Sequence, residues 1–161
     1  MLSISNAYAG KWLSNYHDIV IQYNDKVWSV AEQIDSSDET LFALYDKGDG
    51  SSFLLRVEFL EHAAEIEDAA IEEALAETLR NADSDLKIEK KYFMDIAGKE
   101  YRVIDYIFKN KYFGVQRIRH AFIKQKEHVL MLMLSWPLDA EIPAGKQFPT
   151  KHLAFIEGLI L

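Results

Sequence analysis

From Leu86 to Trp136 the chain reads as strand after strand, interrupted by short polar turns and never by proline. The block closes on Glu127-His128-Val129-Leu130-Met131-Leu132-Met133-Leu134-Ser135-Trp136, whose apolar run leaves no polar face. A half-exposed antiparallel strand alternates apolar and polar residues, so a strand apolar on both sides must be covered on both sides. Turns around Ala97-Gly98-Lys99, Lys109-Asn110-Lys111 and Lys124-Gln125-Lys126 divide the block into strands near 86–96, 100–108, 113–123 and 128–136. Connections this short make successive strands antiparallel neighbours.

The cover has to come from the rest of the chain. His17–Tyr23 alternates like a first strand, and Val27-Trp28-Ser29-Val30 is a short apolar piece with a large anchor. Asp35–Glu39 is a polar loop, and strands at 40–45 and 51–60 flank Asp46-Lys47-Gly48-Asp49-Gly50. From Ile66, apolar or small residues recur at Ala70, Ile71, Ala74, Leu75, Leu79 and Ala82, one face of a helix over 66–82. Pro149 opens a final helix over 150–161. The two helices lie on either side of the meander in sequence. They predict an α+β, three-layer α/β/α sandwich around a mainly antiparallel meander sheet. Residues 1–161 read as one domain, with 1–15 a loosely ordered lead-in.

At 161 residues the chain can bury a core without disulfides or metals, and it has no cysteine for either. The absence of cysteine is compatible with a reducing compartment. Ala7-Tyr8-Ala9 imitates a signal-peptidase site but lacks a basic and an apolar region before it, so the expected location is cytoplasmic. No stretch is apolar enough for a membrane helix. Residues 1–84 carry 5 Lys/Arg against 17 Asp/Glu, whereas residues 85–126 carry 11 against 5. Either an acidic helix neutralises basic strands beside it, or the sheet offers a basic surface to an acidic partner. Nucleic acid is not expected, because no binding motif accompanies the basic residues.

The order of parts resembles the PsbP/Mog-like fold family, including its bacterial DcrB-like and Eag chaperone-like members. The likeness runs over residues 16–161: an early strand followed by Trp28, Ser52-Phe53-Leu54-Leu55-Arg56-Val57-Glu58-Phe59-Leu60, the acidic helix, Ala97-Gly98-Lys99-Glu100-Tyr101-Arg102, the meander and a Pro-initiated helix. The family shares no catalytic constellation, so the resemblance implies a role exercised through protein surfaces. It implies no cofactor and no active residue.

Candidate chemistry is sparse. His120 and His128 fall on adjacent strands with Asp105 on the strand before, a set that could move protons, although strand-borne polar residues usually serve the sheet. No third ligand fixes a metal site. Arg117 and Arg119 share a strand face and could grip a carboxylate or phosphate, or could simply be solvated. Asp46–Ser51 lacks the length and distal glutamate of a calcium loop. The aromatics are a better lead: Tyr92-Phe93 and Tyr112-Phe113 are consecutive, so one of each pair faces outward. The sequence therefore points to a non-enzymatic protein-binding module of bacterial type, such as a chaperone, adaptor or immunity protein for a secreted effector. A carrier of an apolar or anionic small molecule, using Met131 and Met133 beside the arginines, is the alternative. A homodimer is expected, because the strand edges read as poorly blunted: Lys109, Lys111, Lys124 and Lys126 sit at turns.

Overall fold

The computed structural model describes residues 10–161. The Ala7-Tyr8-Ala9 triplet and the lead-in up to residue 9 lie outside the described residues. Strands β1 (Gly10–Leu13) and β2 (Val20–Tyr23) form a small antiparallel hairpin. Strands β3 (Ser29–Asp35), β4 (Glu39–Tyr45) and β5 (Ser52–Phe59) lead to helix α1 (Asp68–Ala82). Strands β6 (Lys87–Ile96), β7 (Lys99–Asn110), β8 (Gly114–Lys124) and β9 (His128–Pro137) follow, and helix α2 (Thr150–Ile156) closes the chain. The large sheet has seven strands in the order β3-β4-β5-β9-β8-β7-β6. Two meanders thus meet at the antiparallel β5–β9 pair in the centre.

The doubly apolar β9 behaves as its sequence demands. Leu130, Leu132, Leu134 and Trp136 join Phe53, Leu55 and Val103 in one buried cluster with Trp28, Phe148 and Phe155. Val129, Met131 and Met133 face the other cluster, where Ile71, Ala76 and Leu79 of α1 meet Ile104, Tyr106, Ile118 and Phe122. Each large side chain so buried contributes roughly 1.5–3 kcal/mol.

The expected α/β/α sandwich is not what forms. Strand accounts for 49% of the described residues and helix for 16%, so the fold is a mostly antiparallel sheet without helical layers. The reason is dimensional. Seven strands span roughly 29 Å across, whereas a helix with its side chains is about 10–12 Å wide. One helix of 15 residues covers part of one face. The other face is covered by the β1–β2 hairpin, by Trp28 and Phe148 from irregular segments, and by the 7-residue α2, which stops well short of residue 161. Part of the expected lead-in is therefore ordered, since Gly10–Leu13 is β1 and Trp12 stacks on Phe42 with ring centroids 4.7 Å apart.

The edges are also better protected than the sequence suggests. Edge strand β6 carries Lys87, Lys90 and Lys91 along its body and an irregularity between Ile88 and Lys90. Edge strand β3 breaks register between Val30 and Glu32. Charges and bulges of this kind discourage strand-to-strand pairing, so the edges supply no argument for a dimer.

Most of the basic charge of the meander is spent internally. Lys91 and Arg102 both bind Glu72 of α1, Lys124 binds Asp68, and Lys109 lies 3.4 Å from Asp85. Burial would raise the Glu72 carboxyl, but hydrogen bonds from Lys91 and Arg102 outweigh it and hold the group below its usual range. Of the two readings of the charge split, local neutralisation is the one the structure builds.

Gly50 closes the β4–β5 turn at φ 76°, and a Cβ there would collide with the Phe113 ring. Gly50→Ala is expected to cost about 1–3 kcal/mol in urea unfolding, from left-handed backbone strain and the displaced ring. An unchanged midpoint would show that Phe113 does not seat on this turn.

Candidate functional site

Arg119 and Asp105 face each other directly across β7 and β8 and lie beneath the 137–149 segment. The guanidinium donates from Nε to Asp105 Oδ1 at 2.8 Å and from Nη2 to Oδ2 at 2.9 Å, with 4% and 1% of the two residues exposed. Its Nη1 donates to the Gln147 carbonyl at 2.6 Å, and its plane lies 5.0 Å from the Phe148 ring centroid and 5.2 Å from that of Trp136. The Tyr92 hydroxyl donates to Asp105 Oδ2 at 3.1 Å, and burial above all raises its pKa. Arg119 is thus a buried latch that ties a loop to the sheet: Asp105 matches its charge, and three of its five N–H donors are held by Asp105 and Gln147. Arg117 is bound through Nη2 to Glu89 at 2.8 Å. The two arginines do not form the anion grip their spacing suggested.

Nor does the histidine–aspartate set converge. Asp105 lies on the α2 side of the sheet with Arg119, while His120 lies on the α1 side, its ring edge-on to Tyr106 at 5.3 Å. His128 is at the end of β9, with ring neighbours His17 at 5.6 Å and Phe59 at 5.7 Å. His17 is held below its ordinary pKa by burial first and by His128 second. Beside it is a polar hollow of about 460 Å³ lined by Ser14, Asn15, Asp18 and Lys99 among others. Its loop is knotted on Asp35, which accepts from Ser14 Oγ at 2.7 Å and from the Asn15 amide at 2.6 Å. No group of three or more potential metal-ligating residues occurs among the described residues.

The aromatic pairs split as strand geometry requires. Tyr92 turns inward to Asp105, and Phe93 turns outward, 58% exposed and covered on one side by Arg102 at 5.0 Å. Phe93 pairs with Arg102 at one end of β7, and Tyr112 lies in the turn at its other end, so the two do not share a surface. Around that far turn, however, Tyr112 (77%), Phe113 (43%), Val115 (41%) and Leu138 (42%) are all exposed. Phe113, Val115 and Leu138 line a hollow of about 430 Å³ with Pro137 and Asp139. The turn itself is set by Asn110, whose side-chain oxygen accepts from the Tyr112 and Phe113 amides at 2.8 and 3.1 Å. Gly114 then supplies φ 78°. Val115 and Leu138 escaped notice in the sequence, because each is an isolated apolar residue whose neighbours only the fold supplies.

A second feature lies on the opposite face. Between α1 and strands β5 and β9 is a pocket of about 200 Å³ lined by Leu54, Leu75, Leu79, His120, Met131 and Met133. Met131 and Met133, which the carrier reading sets beside Arg117 and Arg119, lie here with His120 and without either arginine.

The fold and its surfaces define a broad class: an antiparallel sheet domain with a helix over part of each face and an exposed apolar patch at a meander turn. No family model and no curated protein matches the chain. A crystal structure from Bacteroides thetaiotaomicron VPI-5482 is similar in fold at a TM-score of 0.52 and 12% identity, over 88% of this chain and 52% of that one. The chain thus spans about half the length of that relative. A Pseudomonas aeruginosa protein of unknown function, PA94, with a suggested regulatory role, matches at a TM-score of 0.40 and 20% identity, over 80% and 83% of the two chains. These likenesses are not accompanied by a PsbP/Mog-like assignment.

Proposed function

We propose that this chain is a non-catalytic protein-binding module that docks a partner through Tyr112, Phe113, Val115 and Leu138. One observation carries the reading: Phe113, Val115 and Leu138 are exposed around a single hollow, with Tyr112 exposed in the adjoining turn. Single exposed apolar residues are ordinary, but a cluster of them marks an interaction site. Aromatic residues at the centre with Lys111 and Asp139 at the margin is the composition of such sites. The non-catalytic part rests on dispersal, since His120, His128 and Asp105 lie in separate surroundings. A cytoplasmic chaperone, adaptor or immunity role fits a docking surface of this kind, and the PsbP/Mog-like resemblance supports it by analogy. Among the described residues no helix is long and apolar enough to cross a membrane.

A photo-crosslinker placed at Val115 in the native cell should capture a partner that a crosslinker at exposed Glu77 does not. Leu138→Asp should weaken that capture at least about tenfold, the loss expected when a charge enters an apolar contact. Equal capture at both positions, or capture indifferent to Leu138→Asp, would reject the docking surface. If light scattering gives a dimer that Phe113→Asp dissolves, the occupant is a second copy of the chain. A second function, small-molecule carriage, is favoured by the pocket beneath α1.

A further inference from the structure

The pocket beneath α1 has a chemical character more specific than its apolar walls. His120 is buried against it, and among the described residues neither nitrogen of its imidazole has a hydrogen-bond partner, with Nδ1 fully enclosed. Buried polar atoms are almost always paired, and an unpaired one costs free energy. The Tyr106 ring stands edge-on at 5.3 Å, and its own hydroxyl, likewise buried without a partner, does not bond to the imidazole. Water is a poor partner here, because a held water needs two to four polar contacts and the buried walls are leucine and methionine. The only other polar side chains at the pocket are the more exposed Arg56 and Thr78. Both are engaged: Arg56 donates to Glu39 Oε1 at 2.7 Å, and the Thr78 hydroxyl donates to the Ala74 carbonyl at 3.2 Å.

We propose that this pocket binds a small, neutral, apolar molecule bearing one hydroxyl, of the size of a simple phenol, with the hydroxyl against His120. A hydroxyl both donates and accepts, so it pairs with the imidazole in either tautomer. Neutrality follows from charge: Glu39 matches Arg56, and burial holds the imidazole pKa down to about 4, so the ring is uncharged at neutral pH. Size follows from volume: an apolar cavity of about 150 Å³ is known to take benzene, and this one is about 200 Å³. Met131 and Met133 give walls that adapt to the ring. The assignment deepens the carrier reading and is independent of the docking patch at Tyr112.

The test is a titration of the full chain with p-cresol and with toluene, its analogue lacking the hydroxyl, followed by NMR at the Leu54, Leu75, Met131 and Met133 methyls. Saturable shifts are expected for both, with p-cresol bound about tenfold more tightly, the affinity equivalent of satisfying one buried polar atom. His120→Leu should erase most of that preference. Should that variant fail to fold, Leu75→Trp, which fills the pocket from the helix, should abolish both ligands' shifts at these methyls. Equal affinities for the two ligands would overturn the hydroxyl assignment while leaving an apolar carrier. Absence of saturable shifts at millimolar ligand would overturn the carrier as well. Binding of a tyrosine dipeptide without binding of p-cresol would assign the pocket to a protein side chain and overturn the proposal.

Discussion

Arg119→Ala is expected to lower folding stability by about 3–5 kcal/mol, the cost of breaking a buried ion pair from one side. The substitution strands the Asp105 carboxylate, 1% exposed, with the Tyr92 hydroxyl as its remaining side-chain donor. It also frees the Gln147 carbonyl and removes the flat stem that Phe148, Trp136 and Tyr92 pack around. The 137–149 segment should therefore loosen along with the global loss. Removing both charges is a different experiment. Arg119→Met combined with Asp105→Leu leaves no uncompensated charge, and well-packed apolar replacements of buried pairs are often neutral or stabilising. The double variant should recover most of the loss, a strong departure from additivity expected of residues in contact. Urea midpoints decide it: if Arg119→Ala shifts the midpoint no more than exposed Lys126→Ala, the latch has no energetic role.

That latch was within reach of the sequence, and the reason it was missed is instructive. Pairing across a hairpin is fixed by the centre of its turn. A turn centred on Lys109-Asn110-Lys111 would set Asp105 opposite Val115, but the turn runs from Asn110 to Gly114, so Asp105 meets Arg119. The asparagine and the glycine both mark that longer turn, one by capping two amides and the other by accepting positive φ. Reading the lysines as the turn displaced the register by two residues on each strand. Side-chain faces survive such a slip because its parity is even, so Asp105 and Arg119 stay on the face away from Tyr106 and His120.

Other parts were less legible for physical reasons. Strand β3 is Ser29–Asp35, exposed along most of its length at the sheet edge, so it shows no alternation to read. The missing helical layer could not be inferred from apolar stripes alone, since Trp12, Trp28 and Phe148 cover the sheet from hairpin and loop positions that carry no periodicity. The candidate sites follow the same logic. Tyr112 and Phe113 were visible as a pair that could not both face inward, whereas Val115 and Leu138 acquire meaning only when a hydrogen bond from the Leu138 amide to the Val115 carbonyl, 3.1 Å, brings β8 and the end of β9 together. His120 looked like a proton-transfer group because sequence does not say which face of a strand lacks partners.

Lowering the pH from 6.5 to 4.5 is expected to destabilise the fold through two buried histidines. His152 is buried among Trp28, Trp136 and Phe155, with Lys151 and Asp49 the charged groups nearest to it, and His120 is buried beneath α1 beside Tyr106. Burial is the main reason both imidazoles fall from the ordinary value of 6.5 to about 4. In the unfolded chain each takes up its proton near 6.5, while in the folded chain it resists until about 4. Between those limits the unfolded state holds more protons, so stability falls as the pH falls. Full stability is present above 6.5, and the loss approaches on the order of 3 kcal/mol per histidine by pH 4. Asp35, Asp49 and Glu72 behave differently: each is held below its ordinary value of 3.8, 3.8 or 4.5, so its contribution is lost only as the pH drops below that value. The upper part of the window therefore belongs to the histidines. Urea unfolding at pH 7, 6, 5 and 4.5 should give steadily lower stability, and His152→Phe should flatten that slope even if its own stability at pH 7 is reduced. A stability profile level across this range would show that these rings are hydrated or already charged in the native protein.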